Sequence, residues 1–355
     1  MFDGNLEFFF EGPTYYAALD AAIQSAKRSI DLEMYIFAGD AVGRRIAVSL
    51  AKQAYAGVKV RVLYDSIGSQ WTDTGLWSLL EENGVELQEY NPTFPWPKNL
   101  RRRNHRKVLV VDGQVGFLGG FNLMDVPWRD SGVRCGHPEV LADLTQLFEL
   151  AWERRNLRLR KMARRHARRW RPGSPGIHAV PSYGLRRFSR IRQHYLAAIQ
   201  LARRRIWITN PYFVPDLGLL RALRRAARKG VEVKILTAGL TDVRVARWAS
   251  HAVYSRLLKS GVRIFEYQPQ VLHAKHMVVD EAWFTLGTSN LDHLSFFQNL
   301  EVNLFGTDRS AAAVLAEQFE KDVVESLEIN FTEWKKRSRW RKLREKFFYA
   351  FRAWM

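Results

Sequence analysis

A single cysteine, Cys135, stands among 355 residues, so no intrachain disulfide can form and a disulfide-stapled secreted scaffold is excluded. Long apolar runs are missing too: no stretch reaches the roughly 18 uninterrupted apolar residues that a membrane-spanning helix needs. The acidic opening from Met1 to Glu11 lacks the basic n-region of a signal peptide. Together these absences predict a chain in a reducing, cytoplasmic setting that does not cross a bilayer. Negative charge is also scarce, with 36 Asp and Glu against 55 Lys and Arg and a formal net charge of +19. Such an excess draws polyanions, either nucleic acid or an anionic lipid surface.

What is present is one uncommon pattern written twice. His105, Lys107 and Asp112 recur as His273, Lys275 and Asp280, and a Gly and an Asn follow each His by 14 and 17 residues, at Gly119 and Asn122 and at Gly287 and Asn290. The β-branched run after Lys107 predicts a strand, on which His105 and Lys107 share a face. Two residues along a strand span about 6.6 Å, so an imidazole and an ammonium could reach one phosphate. Asp112 and Asp280 fall on the opposite face, which suits anchoring the strand better than touching substrate. Asp112-Gly113 reads as a turn into a second strand. Small residues at the end of each hairpin let backbone N–H groups, Asn122, Asn290 and Ser289 approach an anion closely.

The two copies of H-x-K-x4-D, each trailed by G-x-x-N, resemble the phospholipase D superfamily. Segments such as Trp128-Arg129-Asp130, Asn210-Pro211-Tyr212 and Asn299-Leu300-Glu301 resemble its bacterial cardiolipin synthase branch. The resemblance spans about residues 4 to 325 and fits the shorter members without N-terminal spanning helices.

Further repeats support two fused halves. Tyr16 to Gln24 resembles Tyr195 to Gln200, Gly57-Val58 resembles Gly230-Val231, and Gly84-Val85 resembles Gly261-Val262. Helices and strands alternate in each, predicting α/β sandwiches with mixed, mostly parallel sheets flanked by helices. The resemblance adds that the halves pack about a pseudo-twofold axis. The expected organisation is a first half at 1–150, a basic linker at 151–180, a second half at 181–328 and a basic amphipathic helix at 329–355.

Phosphodiester exchange needs a nucleophile in line with phosphorus, a proton for the leaving alkoxide, and positive charge on the equatorial oxygens. Two His, two Lys and two Asn meet that need without a metal or cofactor. His105 is read as the nucleophile, the usual role of the first-motif His in the family, and His273 as the general acid. Each imidazole needs its other nitrogen held by a carboxylate. The resemblance matches Asp130 to His105 and Glu301 to His273.

Three basic clusters bear on the substrate. Arg101, Arg102, Arg103 and Arg106 lead into the first motif behind the aromatic loop carrying Trp96. Arg154 to Arg171 holds ten Lys and Arg, and reads equally well as a solvated linker. At the C-terminus Trp340, Leu343, Phe347, Phe351 and Trp354 recur at three- and four-residue steps among Lys and Arg, the composition of an interfacial membrane anchor. A helix docked on the core is the alternative. The expected partner is an anionic phospholipid membrane at the cytoplasmic face of a bacterial inner membrane, and nucleic acid is disfavoured because a terminal helix supplies no groove for bases. The resemblance implies phosphatidyl transfer between two phosphatidylglycerols, giving cardiolipin and glycerol. Asp292-His293-Leu294-Ser295 departs from the Asp-x-Arg-Ser of many relatives, so water, phosphatidylethanolamine or another alcohol are alternative acceptors, and a nuclease is the alternative from another substrate class.

Overall fold

A computed structural model describes residues 6–92, 102–153, 172, 176–183, 189–241 and 243–351. Trp96, Trp354 and the cluster from Arg154 to Arg171 lie outside these described residues.

The first half runs β1 (Leu6–Phe9), α1 (Gly12–Gln24), β2 (Ser29–Met34), α2 (Ala41–Tyr55), β3 (Lys59–Asp65), α3 (Thr74–Glu82) and β4 (Glu86–Tyr90). The motif hairpin β5 (Val108–Val111) and β6 (Val115–Gly119) follows, then β7 (Gly132–Cys135) and α4 (Pro138–Trp152). The second half repeats the plan with β8 (Ile177–Tyr183), α5 (Arg190–Leu201), β9 (Arg205–Thr209), α6 (Leu217–Arg228), β10 (Glu232–Ala238), α7 (Arg244–Leu258) and β11 (Arg263–Tyr267). Its hairpin is β12 (His276–Val279) and β13 (Trp283–Gly287), followed by α8 (His293–Phe297), β14 (Leu300–Thr307), α9 (Arg309–Val324) and β15 (Ser326–Glu328). Two helices close the chain, α10 (Phe331–Lys335) and α11 (Arg339–Ala350). The repeated Gly-Val pairs are helix ends: Gly57, Gly84, Gly230 and Gly261 all take φ near +90°, where a side chain would be strained, and each returns the chain to a strand.

Sheet order makes the duplication visible. The first sheet is ordered β1-β7-β6-β5-β2-β3-β4, and the run from β7 to β4 matches β14-β13-β12-β9-β10-β11 in the second. Both sheets are mixed, and the expectation of mostly parallel pairing needs correction. Two pairings in each sheet are parallel, against four antiparallel in the first and five in the second. The motif strands return through tight turns, and a hairpin can only pair antiparallel. β8 also carries the second sheet into the stretch read as linker.

Strand alternation sorts the core into layers. Leu109 and Val111 face the helices α1 to α3, while Val108 and Val110 face a core shared with Val278, Leu286 and Leu304 of the second half. α4 and α9 add Leu144, Leu147, Leu315 and Phe319 to that shared core. The halves are thereby packed as one body, with the ends of both motif hairpins at their junction.

Candidate active site

The catalytic candidates sit just ahead of their strands. β5 begins at Val108 and β12 at His276, so the expected strand placement of His105, Lys107, His273 and Lys275 is corrected by one to three residues. The reason is a second set of partners. Asn104 bridges Leu300, and Arg129 bridges Leu272, each across the junction between halves. The His105 N–H donates to the Leu300 carbonyl at 3.0 Å, and the His273 N–H donates to the Arg129 carbonyl at 2.8 Å. Each motif thus leaves its own sheet to pair with the other half.

This exchange decides how the imidazoles are held. His105 Nδ1 lies 3.1 Å from Glu301 Oε2, and His273 Nδ1 lies 2.5 Å from Asp130 Oδ2. The expected matching of Asp130 to His105 and Glu301 to His273 is therefore overturned: each His takes its carboxylate from the opposite half. Glu301 is fully buried and Asp130 nearly so. Nδ1 is engaged in both rings, and Nε2 of each has no partner among the described residues.

Both lysines are fully buried between these groups, and each Nζ donates to the carbonyl of the His two residues before it, over 2.8 Å for Lys107. Burial, with the charge of Lys275, depresses the Lys107 ammonium to about 7 despite the opposing pull of Glu301. Burial also depresses His105 to about 4, Glu301 opposing and Lys107 assisting. His273 is lowered by burial and Lys275 while Asp130 opposes. For Asp130 burial alone would raise the carboxyl, but the charges of His273 and Lys275 hold it below its ordinary range. Aromatic walls complete the cradle: Tyr35 meets His105 edge-on at 4.7 Å, and Trp128 lies 5.1 Å from His273.

Asp112 and Asp280 stand apart from this cluster. Both occupy the left-handed region, at φ 54° and 52°. The Asp112 carboxylate accepts from the backbone N–H groups of Lys27, Arg28 and Ser29, and Asp280 accepts from those of Arg203, Arg204 and Arg205. They tie the far end of each motif strand to the start of β2 or β9, the anchoring that side-chain parity suggested.

The small-residue turns divide differently. Asn122 Oδ1 accepts from the Ile36 N–H at 3.3 Å. Asn290 Oδ1 is buried with no partner among the described residues, leaving its carboxamide uncommitted at that atom. Ser289 is fully buried, its N–H donates to Asn303 and its hydroxyl to the Asn290 carbonyl, so its expected role on phosphate is corrected to holding the turn.

Three neighbours take roles at the site that the sequence reading did not give them. Arg106, between the motif His and Lys, is buried and donates to the Glu301 and Ser182 carbonyls at 3.2 Å while lying 3.5 Å from Glu33. Arg129 pairs with Asp322 at 2.8 Å, a buried ion pair joining the halves. Thr288 donates its hydroxyl to Glu301 Oε2 at 2.5 Å. A signal for Thr288 existed, since Gly120 holds the same place in the first copy.

The C-terminal helices also depart from one continuous amphipathic segment. Ser338 caps α11 and separates it from α10, whose Trp334 is buried against Tyr254. Trp334 is thus in the core, whereas Trp340, Leu343, Phe347 and Phe351 are 81%, 58%, 57% and 46% exposed. Docking and an open aromatic stripe coexist on α11, because Phe348 and Glu345 make the contact with α7.

Residues 19–152 and 195–323 match the family described as cardiolipin synthase, PLD-like domain. The chain belongs to the cardiolipin synthase family of phospholipase D-like proteins. Membership makes it a phosphatidyltransferase. The major cardiolipin synthase of Bacillus subtilis is 33% identical over 363 residues, covering 97% of this chain and 74% of that protein. Cardiolipin synthase A of Pseudomonas entomophila is 32% identical over 338 residues, covering 92% and 70%. Phosphatidylserine synthase of Haemophilus influenzae shares the fold, with a TM-score of 0.78 at 14% identity over 100% of this chain and 96% of that one. Among the described residues of this cardiolipin synthase family member, no helix is long and apolar enough to cross a membrane.

Proposed function

We propose that this enzyme makes cardiolipin by moving a phosphatidyl group from one phosphatidylglycerol to another. The observation that carries the reading is the pair of imidazoles, each held at Nδ1 by a carboxylate of the other half and each leaving Nε2 without a partner among the described residues. His105 Nε2 attacks phosphorus as the P–O bond to glycerol breaks, and His273 hands its proton to the departing alkoxide. The product of that step is a phosphatidyl-histidine. A second phosphatidylglycerol then loses its hydroxyl proton to His273, and its oxygen displaces His105 to give cardiolipin. Lys107 and Lys275, with Asn122 and Asn290, are proposed to hold the equatorial oxygens as charge shifts among them. A neutral His105, favoured by its depressed pKa, suits the nucleophile.

The lipid is proposed to arrive from an anionic bilayer at the cytoplasmic face of the inner membrane. α11 offers the open stripe of Trp340, Leu343, Phe347 and Phe351 beside exposed Arg339, Arg341, Arg344 and Lys346. A loop beside Tyr35, which packs on His105, adds another exposed aromatic. Trp71 is 89% exposed in the loop after β3, and that loop is pinned to Tyr35 and Phe37 by Ser69 and Thr72. Tyr349 of α11 donates to the Pro215 carbonyl, at the same end of the second sheet.

The test is incubation of the full chain with phosphatidylglycerol vesicles and mass spectrometry of the products. Cardiolipin with an equal yield of glycerol is expected. Phosphatidic acid alone would replace the transfer with hydrolysis, and cutting of DNA with no lipid turnover would overturn the substrate class. Trp340→Asp with Phe347→Asp is expected to weaken vesicle sedimentation at least tenfold.

A further inference from the structure

The duplicated site is unequal at one oxygen. Glu301 Oε2 faces two donors, His105 Nδ1 at 3.1 Å and the Thr288 hydroxyl at 2.5 Å, while Oε1 receives Asn299 Nδ2 at 3.3 Å. The Thr288 hydroxyl is oriented, because its oxygen accepts the Val302 N–H at 3.0 Å and the other acceptor in reach, the Val302 carbonyl, is farther away at 3.3 Å. In the first copy the matching residue is Gly120. A Cβ there would lie 1.9 Å from Asp130 Oδ1, so no hydroxyl-bearing side chain can be placed against that carboxylate. Asp130 receives the Ser131 N–H on Oδ1 and, among the described residues, gives Oδ2 to His273 alone.

A carboxylate oxygen that already takes a hydroxyl proton is a weaker acceptor for a second donor, and stabilises a neighbouring imidazolium less. We propose that Thr288 is the positioning residue that divides the two histidines: by occupying Glu301 Oε2 it keeps His105 neutral for attack, while His273, facing an undivided Asp130 oxygen, carries the proton. Thr288 touches neither substrate nor phosphorus. The inference rests on the two-histidine transfer reading, and it supplies from the geometry a reason why the first-motif His is the nucleophile.

The direct test needs no substrate. The histidine side chains of the full chain, 15N-labelled, are titrated by NMR in wild type and in Thr288→Val, Thr288→Ser and Thr288→Ala. Val removes the hydroxyl at nearly constant volume and is expected to raise the His105 midpoint by about one pH unit, since one hydrogen bond to a charged group is worth about that much. The His273 midpoint should stay within a few tenths of a unit, and Ser should restore the wild-type curve. The acid limb of the activity profile should move with His105 in Val and return in Ser. Equal movement of both histidines, no movement of either, or failure of Ser to restore the curve would each overturn the proposal. If Val is misfolded by circular dichroism, Ala carries the same prediction with a smaller side chain. A protein showing the shift but making no cardiolipin would sink the lipid reading alone; one making cardiolipin without the shift would sink only the role of Thr288.

Discussion

Replacing Glu301 by Gln separates the crossed pairing from the same-half pairing that the sequence suggests. Gln keeps the length of the side chain but can present its N–H2 to His105 Nδ1, which moves the ring proton to Nε2 and removes the lone pair aimed at phosphorus. Losing a charge-assisted hydrogen bond costs about 1.5–3 kcal/mol, or about 10- to 100-fold in rate. The tautomer error adds to this, and in a Ser-His-Asp triad the comparable change costs about 10⁴-fold. Glu301 also supports the Lys107 ammonium, so its charge is lost twice over. A fall of about 10³- to 10⁴-fold is expected with phosphatidylglycerol. Asp130→Asn should cost a similar factor through His273. The two variants part on a phosphatidyl ester of 4-nitrophenol, whose leaving group needs no proton. Asp130→Asn should regain most of its stopped-flow burst of 4-nitrophenolate, because only the general acid is damaged, while Glu301→Gln should show no burst. The opposite pattern, with Glu301→Gln rescued and Asp130→Asn inert, would refute the assignment of His105 as nucleophile through Glu301.

Acidity gives a second handle. Activity as kcat/KM should rise through about pH 4 as His105 loses its proton and fall as the general acid His273, itself lowered by burial, and then Lys107 at about 7 lose theirs, measured on vesicles of fixed composition. Because the folded His105 binds its proton less readily than the unfolded chain, its ordinary value being 6.5, urea denaturation should show stability falling as pH drops from there toward about 4. Asp112→Ala leaves three backbone N–H groups without their acceptor and puts Ala at φ 54°, for an expected loss of about 2–3 kcal/mol in urea denaturation, with Asp112→Asn retaining most of the stability. Arg129→Met strands the buried Asp322 and should cost about 3–5 kcal/mol, most of it recovered when Asp322→Leu is added.

Much of this was legible in the sequence because it depends on short spacings. The two motifs, the Asp112-Gly113 turn and the fused halves follow from local periodicity and from the repeat; the Gly-Val pairs were legible as repeats, and their place at helix ends came with the fold. Side-chain parity also anticipated that Asp112 and Asp280 turn away from the site. The carboxylate partners were the right residues wrongly matched, since nothing along the chain records which half a side chain leans toward. Asn104 pairing with Leu300 and Arg129 with Leu272 settles that, and both are contacts between segments more than 140 residues apart. Thr288 was visible only as a break in the repeat, without meaning until Glu301 was found beside it. Trp334, six residues before Trp340, falls outside the three- and four-residue steps of the terminal stripe, and it packs on Tyr254 in the core ahead of the cap at Ser338.

The exchange of carboxylates has an evolutionary reading. A solitary half would possess a histidine and a carboxylate that cannot meet each other, so a single-half ancestor would have worked only as a dimer, at a rate set by its own concentration. Joining the halves in one chain replaces that encounter with a tether and frees the enzyme from dilution. It also releases the copies from being identical. In a dimer of like halves any change at the Gly120 position appears on both sides of the axis; in the fused chain Gly120 and Thr288 could part, and one symmetric pair of bases could become a nucleophile and an acid.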